Sequence, residues 1–451
     1  MVLWVGVDDT DSLRGMCTTF LATEIVRVAT KEIDLIGYPR LVRLNPNIPW
    51  KTRGNGAIAL RFGHGAGTPQ NVGWVDGRPI RSFARARGAE DPESLRPLVE
   101  NLVERWSAFD DPTTNPGFAI LRRQPSPGFY WKAVRDVVSV NEARDVAQGL
   151  GLIRGYKDER GVIGAVAAVA WRPRDCTYEI LTYRDRSQWG TRRDVVPESV
   201  VAMDRAFAST FNNYDYENGK VVLAPHSPCP VLFGIRGDVP HELPRAMARL
   251  RGESPERWLL FETNHGTNDH VRPGDWSLRP RTATSIEGIV ATAPRTRPGG
   301  HVLFVLEGRG RVTVATYEPS KQFRRVVRGL RPGDRVQVWG SVRDEPRSLN
   351  LERIRILALA EDVVKVANPL CPECGKRMKS LGRAKGYRCR NDRCRLPAGA
   401  AIARRNERRV ALGVYEPPAC ARRHLAMPLK RLRLRRPHIR TATTVDASLL
   451  G

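Results

Sequence analysis

The sequence predicts a multidomain α+β chain, and three observations predict it. At 451 residues the chain exceeds one ordinary core, since domains run to about 100–200 residues. The hydrophobic pattern changes along it, from mixed helix and strand periods to a succession of short strands set off by turn residues. Four of the eight cysteines fall within 24 residues, at Cys371, Cys374, Cys389 and Cys394. With 41% apolar residues the chain can bury several cores, which excludes wholesale disorder and a fibrous repeat. A membrane span needs about 20 apolar residues in a row. The longest apolar run, residues 162–171, has ten, so no membrane helix is expected. The N-terminal MVLWVGVDDTDS has no basic n-region and reads as a first strand rather than a secretory signal.

Residues 2–8 alternate and end in carboxylates, as a strand running into a site would. Residues 15–31 read as a turn and then a helix, with Leu21, Ile25, Val26 and Val28 at helical spacing. Strands follow at 40–44 and 57–62. Residues 63–92, rich in Gly, Pro and Arg, read as an irregular insertion. A helix at 93–109 and a strand at 118–122 complete an N-terminal α/β domain, residues 1–136. The next unit, 137–280, begins with a helix at 141–150. Strand-like runs at 162–171 and 178–183 follow, then a helix at 197–207 and a strand at 230–235. A helix at 241–250 and a strand at 258–263 complete two ββ/α alternations, which suit a ferredoxin-like domain.

The third unit, residues 281–360, is all-β apart from one helix. IEGIVATAP, HVLFVLEG, RVTVATYE, DRVQVWGSV and LNLERIRIL are five strands, with a helical stretch at 322–329 between the third and fourth. That is the pattern of an OB-fold β-barrel, a platform for nucleic acid. The fourth unit, 365–425, carries Cys371-Pro-Glu-Cys374-Gly, thirteen further residues, and then Cys389-x4-Cys394. Two cysteine pairs around a short basic hairpin supply a tetrahedral thiolate site, so a Zn²⁺-holding zinc ribbon is expected in a reducing, cytoplasmic setting. The second pair is spaced wider than the usual two, which leaves Cys420 or His424 as possible fourth ligands. Residues 426–451 show no sustained period and read as a basic tail. Between Lys376 and Arg440 there are 21 Lys or Arg and 3 acids, which is +18 of the chain's net +26. A block this basic expects a polyanion, with nucleic acid first. A solvated basic tail would have the same composition.

Three constellations could carry chemistry. Asp8, Asp9 and Asp11 crowd three carboxylates into four residues at a strand end, where mutual repulsion calls for a cation such as Mg²⁺. Gly15 to Thr19 then opens a helix, whose free N–H groups suit phosphate. Thr18 or Thr19 could equally be a plain N-cap beside a solvated acidic turn. Lys51, Arg53, Gly54 and Asn55 could clamp phosphate oxygens, although Gly-Asn-Gly is also a hairpin turn. Polar loops at Asn213 and Asp215, at His226, and at Asn264 and Asp269 collect at strand ends. There they could bind a ligand or simply form Asx turns.

These motifs together resemble a known family. GVDDTDSLRGMCTTF, RLNPNIPWKTRGNGA, TFNNYD, APHSPCPVLFGIRGD, FETNHGTNDH, the barrel segment and CPECGKRMKSLGRAKGYRC are similar to the archaeal tRNA(Ile) 2-agmatinylcytidine synthetases, over about residues 2–395. The wider second cysteine pair, the 63–92 insertion and the extension after 425 depart from that pattern. The resemblance implies a kinase-like N-terminal domain that binds ATP. It implies agmatine and an isoleucine tRNA with a CAU anticodon as substrates, and replacement of the wobble cytidine's 2-oxo group by agmatine so that the tRNA reads AUA. It also implies that ATP is split to AMP and two phosphates, one phosphoryl group activating the cytidine oxygen and the other ending on a threonine, here Thr18. By position, Asp8, Asp9 and Asp11 would serve Mg²⁺. Gly15, Thr19, Lys51, Arg53, Gly54 and Asn55 would serve the nucleotide phosphates. Asn213, Asp215, His226, Asn264 and Asp269 are the candidates for agmatine or cytidine. No membrane partner is implied. Two other classes stay open: a non-catalytic tRNA or single-strand binder, and an ATP-dependent RNA-modifying ligase that uses another amine.

Overall fold

A computed structural model of the chain describes residues 2–52, 54–88 and 91–435, with the side chains of 434 and 435 left aside. Arg53 and residues 436–451, most of the expected tail, lie outside the described residues. No helix among the described residues is long and apolar enough to cross a membrane.

The first half is built on one mixed sheet of thirteen strands. It opens with β1 (Leu3–Asp8), α1 (Thr18–Ala29), β2 (Asp34–Ile36), β3 (Arg40–Arg43) and β4 (Gly56–Ala66). Strands β5 (Gln70–Val75), β6 (Arg78–Phe83) and β7 (Arg85–Gly88) follow, so the expected irregular insertion is a set of strands. Val72, Val75, Ile80 and Ser82 are buried while Trp74, Arg78 and Arg81 are exposed. That is the period of two that the Gly and Arg content hides at the level of composition. Next come α2 (Pro92–Trp106), β8 (Gly117–Leu121), α3 (Pro127–Arg135), α4 (Val140–Ala147), β9 (Gly151–Gly155) and α5 (Gly161–Ala170).

Helix α5 corrects the strand expected at 162–171. A short run with apolar residues on every side has no period to distinguish a buried strand from a buried helix. Here it is a helix with nine of its ten residues buried. It lies so close to β1 that a Cβ on Gly6 would sit 2.1 Å from the Ala165 carbonyl oxygen, and one on Gly164 would overlap the Asp8 carboxylate.

Beyond α5 come β10 (Thr177–Tyr183), α6 (Pro197–Ala206), β11 (Thr210–Phe211), β12 (Tyr214–Asp215), β13 (Lys220–Val221) and β14 (Val231–Gly237). Then follow α7 (Leu243–Met247), β15 (Arg257–Thr263) and β16 (Val271–Pro273). The helix expected at 241–250 is only α7, led by a 3₁₀ turn at Pro240–Glu242. Strand β15 pairs in parallel with β3, with Glu262 opposite Arg40, and antiparallel with β5. The first two expected units therefore share one sheet.

The barrel strands are β17 (Ala283–Val290), β18 (Arg295–Thr296), β19 (Val302–Glu307), β20 (Arg311–Thr316), β21 (Arg335–Arg343) and β22 (Ser348–Ala358). The ring closes through β17–β19, β19–β20, β20–β22, β22–β21 and β21–β17, of which only β20–β22 is parallel. Helix α8 (Phe323–Arg328) adds Phe323, Val326 and Val327 to the barrel core and lies between β20 and β21, the third and fourth of the five expected strands. The ribbon follows, with β23 (Val363–Ala367), β24 (Lys379–Ser380), β25 (Tyr387–Arg388), β26 (Pro397–Ala398) and β27 (Ile402–Arg405). After it the chain returns to the body through β28 (Gly413–Tyr415), which pairs with β22, and ends in α9 (Leu429–Arg435). The expected basic tail thus begins as a seated segment, with Leu429 and Arg431 buried.

Candidate functional site

Where β1 ends, α5 crosses and β14 and β10 come together, a cavity of about 460 Å³ opens. Asp8, Asp9 and Asp11 line it together with Thr18 and Thr19. Asp9 takes a left-handed backbone, φ 56°, which swings the chain away from the sheet. Helix α1 starts after Cys17, whose extended φ of −165° marks the cap position and whose side chain makes no cap bond. Neither threonine is therefore the N-cap, and both lie in the first helical turn, where backbone N–H groups lack intrahelical partners. Thr18 Oγ1 accepts a hydrogen bond from the buried Thr10 hydroxyl at 3.1 Å.

Asp8 and Asp9 resist ionisation. Burial, then Asp9 and Asp11, holds the Asp8 carboxyl well above the usual range. Asp9 is pushed up to about 6, chiefly by burial and then by Asp11. The Asn115 backbone N–H at 3.1 Å and the Thr52 hydroxyl at 3.3 Å offset part of this. A raised carboxyl pKa means that the folded state holds the proton more tightly than the unfolded chain, so stability is lost as pH rises from the unfolded value towards 6. Asp9→Asn should therefore raise the melting temperature of the ligand-free protein at about pH 7.5 and leave it unchanged at about pH 3, with both measured by calorimetry. An equal rise at both pH values would show that the gain is not electrostatic.

The other phosphate candidates divide. Lys51 lines the cavity, with Nζ donating to the carbonyls of Pro46 at 2.8 Å and Ile48 at 3.3 Å. Burial, then Arg423, lowers its pKa. Gly54 and Asn55 also line the cavity. Asn55 has φ 46° and its amide donates to the Asn45 carbonyl at 2.8 Å, at the end of the long loop that leads from β3 into β4, so the Gly-Asn-Gly stretch is not a two-residue hairpin turn. A side chain on Gly54 would run into the Arg43 guanidinium. Gly15 is not among the lining residues and closes a turn with Ser12.

None of the five agmatine or cytidine candidates is among the residues that line the cavity. Asn213 is buried and donates to Asp204 at 2.8 Å and to Thr210 at 2.9 Å. Asp215 accepts from the backbone of Glu217 and Asn218, an Asx turn, and from the Cys420 N–H at 3.3 Å. His226 is exposed between Pro225 and Ser227, which do line the cavity. Asn264 is fully buried and clasps the backbone N–H and C=O of Arg43, both at 2.8 Å. Asp269 accepts from the Tyr130 hydroxyl at 2.6 Å, and burial raises its pKa.

The wall opposite the carboxylates comes from residues that sequence reasoning missed. Arg43, Glu179 and Arg236 line it, and Asn212, Arg422, Arg423 and His424 extend it. Burial opposes ionisation of Glu179, but Arg236 at 2.9 Å, His265 at 2.9 Å and Arg43 outweigh it and hold the carboxyl low. Arg43 Nε donates to His265 Nε2 at 2.6 Å, and burial drives His265 down to about 3, so its ring is neutral. His424 stacks on His265 with centroids 5.2 Å apart and opens to the cavity. Arg43, Asn212 and Arg236 lie inside quoted motifs that do not single them out, and the fold gathers the wall from five distant stretches, at 43, 179, 212, 236 and 422–424.

The four ribbon cysteines bring their sulfurs within 4.8 Å of one another. Cys420 and His424, the alternatives for a fourth ligand, lie instead at the cavity.

Three family models match: the TiaS TCKD domain over residues 4–156, the TiaS FLD domain over 159–270 and the TiaS C-terminal zinc ribbon domain over 368–410. TiaS of Archaeoglobus fulgidus, a 2-agmatinylcytidine synthetase named for an isoleucine tRNA, is 39% identical, over 97% of this chain and 100% of its own. The chain belongs to the TiaS family. The Methanocaldococcus jannaschii member is 37% identical, over 95% of this chain and 99% of its own. Among solved structures, a complex of TiaS with its isoleucine tRNA and ATP is similar with a TM-score of 0.81 and 38% identity, covering 96% of this chain and 97% of that one. A complex of TiaS with the same tRNA, AMPCPP and agmatine is similar with a TM-score of 0.79 and 36% identity, over the same shares.

Proposed function

We propose that the protein is a cytoplasmic tRNA(Ile) 2-agmatinylcytidine synthetase. It joins agmatine to C2 of the wobble cytidine of the CAU-anticodon isoleucine tRNA at the expense of ATP. The observation that carries this reading is the opening of Thr18 and three carboxylates into one cavity, in a chain that resembles the ATP, agmatine and tRNA complexes along nearly its whole length. In functional terms residues 1–136 are the kinase-like ATP-binding domain, 137–280 the ferredoxin-like domain and 281–360 the OB-fold domain. Residues 365–425 are the zinc ribbon with its basic segment, and 426–451 the basic extension.

A pyrimidine C2 oxygen leaves poorly as hydroxide and well as phosphate. Transfer of one phosphoryl group from ATP to that oxygen, followed by attack of agmatine's amine at C2, forms the C–N bond and releases phosphate. The other phosphoryl group passes to the Thr18 hydroxyl, so the nucleotide product is AMP. Mg²⁺ fits the carboxylate set: Asp8, Asp9 and Asp11 are hard oxygen donors, and the raised pKa values of Asp8 and Asp9 mark a place short of positive charge. When bound it would offset phosphate charge. Lys51, Gly54 and Asn55, with Arg53 and the helix start at Thr18 and Thr19, hold the polyphosphate, and Gly15 closes the turn that leads into that helix. Asn264 and Asp269 act on the substrates by fixing Arg43 and Tyr130. Asn213, Asp215 and His226 act by fixing the loops that present Asn212, Cys420 and Ser227.

The test uses purified protein, CAU-anticodon isoleucine tRNA transcript, agmatine, Mg²⁺ and α-labelled ATP, with nucleotides separated by thin-layer chromatography. AMP that requires both tRNA and agmatine is expected. ADP, or no turnover with intact tRNA binding, would overturn the reading in favour of an RNA binder, and turnover with lysine in place of agmatine would change the amine.

A further inference from the structure

We propose that the segment after the ribbon, residues 413–433, is a strap that forms one wall of the catalytic cavity, and that Arg431 is the positioning residue that seats it. The inference rests on the function proposed above and gives that site a wall from residues that the sequence divides between the ribbon unit, 365–425, and the basic tail, 426–451.

The strap grips all three units around the cavity. β28 pairs with Ile354–Ile356 of the barrel. Arg423 donates to Asn47 Oδ1 of the first unit at 2.6 Å and meets barrel Glu352 at 3.2 Å. Arg422 donates to Asn212 Oδ1 of the second unit at 2.8 Å. The strap backbone runs along the loop after β15: Gly266 N–H donates to the His424 carbonyl and Asn268 N–H to the Leu425 carbonyl, both at 2.8 Å. Leu425, 2% exposed, belongs to the same buried cluster as Trp4, Val42 and Trp171. These contacts carry Cys420, Arg422, Arg423 and His424 to the lining.

Arg431 closes the arrangement and has no exposed surface. Its two terminal nitrogens bind Asp175 at 2.7 and 2.6 Å, and Nε binds Asp238 at 2.8 Å. The Gly266 and Cys176 carbonyls take further hydrogen bonds at 2.8 and 3.0 Å. All five contacts are to the second unit. A guanidinium buried this way cannot also neutralise RNA phosphate, so this part of the basic block works inward. Loss of Arg431 leaves two carboxylates uncompensated, and the strap loses its terminal anchor. A lysine keeps the charge without the two-sided fork.

The experiment compares full-length wild type, Arg431→Ala, Arg431→Lys and Asp175→Asn. It measures AMP formation, tRNA affinity and the rate of Cys420 alkylation by iodoacetamide, read by peptide mass spectrometry. Cys420 is exposed, and partial desolvation, then Asp215, holds its thiol up at about 11, so its reactivity follows the contact of the strap with Asp215. Arg431→Ala is expected to lower kcat by about 50-fold or more and raise KM for ATP, with Arg431→Lys intermediate and tRNA affinity within about threefold. Cys420 alkylation should rise about tenfold in the same order. Asp175→Asn should shift each readout the same way by less, which keeps the test decisive where Arg431→Ala does not fold. Equal loss of tRNA affinity and turnover, or unchanged turnover and Cys420 reactivity, would overturn the proposal. If wild type itself forms no agmatine-dependent AMP, the functional reading fails, while Cys420 reactivity still reports whether Arg431 seats the strap.

Discussion

Thr18→Ala is expected to lower tRNA modification by about a thousandfold or more, with tRNA affinity within about twofold of wild type. The size of the effect follows from removing a phosphoryl acceptor rather than a binding contact. Its cost to the fold should be small. Cys17, not Thr18, occupies the cap position, and no side-chain cap is lost. What is lost is the acceptor of the buried Thr10 hydroxyl, worth about 1 kcal/mol. Thr18→Ser keeps the hydroxyl and should recover part of the activity. Intact-protein mass spectrometry after incubation with ATP should find one added phosphoryl group on wild type and none on Thr18→Ala. Full turnover by Thr18→Ala would remove Thr18 from the chemistry.

Thr18 and the carboxylates were legible because they are contiguous. One strand end and one helix start deliver Asp8, Asp9, Asp11, Thr18 and Thr19 to one cavity without help from the rest of the fold. The barrel was legible because each of its strands carries its own alternation and turn signals. The opposite wall was not, because Arg43, Glu179 and Arg236 meet only through the pairing of β3 with β15 and of β10 with its neighbours β14 and β15. Helix α5 was misread because burial on every side erases its period. The strap was misread because an arginine that forms ion pairs inside the protein looks, in sequence, the same as one that faces phosphate. Arg431 and Arg433 sit two residues apart in one basic run, yet Arg431 is wholly buried.

Replacing Cys371 by serine is expected to remove zinc and weaken tRNA binding by about tenfold to a hundredfold. The apolar core of the ribbon is slight: Cys371, Met378 and Cys389 are its fully buried members, and two of the three are themselves cluster cysteines. A unit of this size cannot bury enough surface to fold without a staple, so four thiolates on one ion must supply the difference. With the ion gone the basic surface of the ribbon loses its shape, fewer phosphates are neutralised together, and the dependence of log Kd on log salt should flatten. The body should persist. The strap re-enters the barrel at β28 and is tied down by Arg431 to Asp175 and Asp238, none of which belongs to the ribbon. ATP affinity should therefore stay near that of wild type while tRNA affinity falls. Elemental analysis of the purified variant, with tRNA titrations at two salt concentrations, decides the matter: unchanged metal content would refute the thiolate site, and loss of ATP affinity would show that ribbon and strap fold as one.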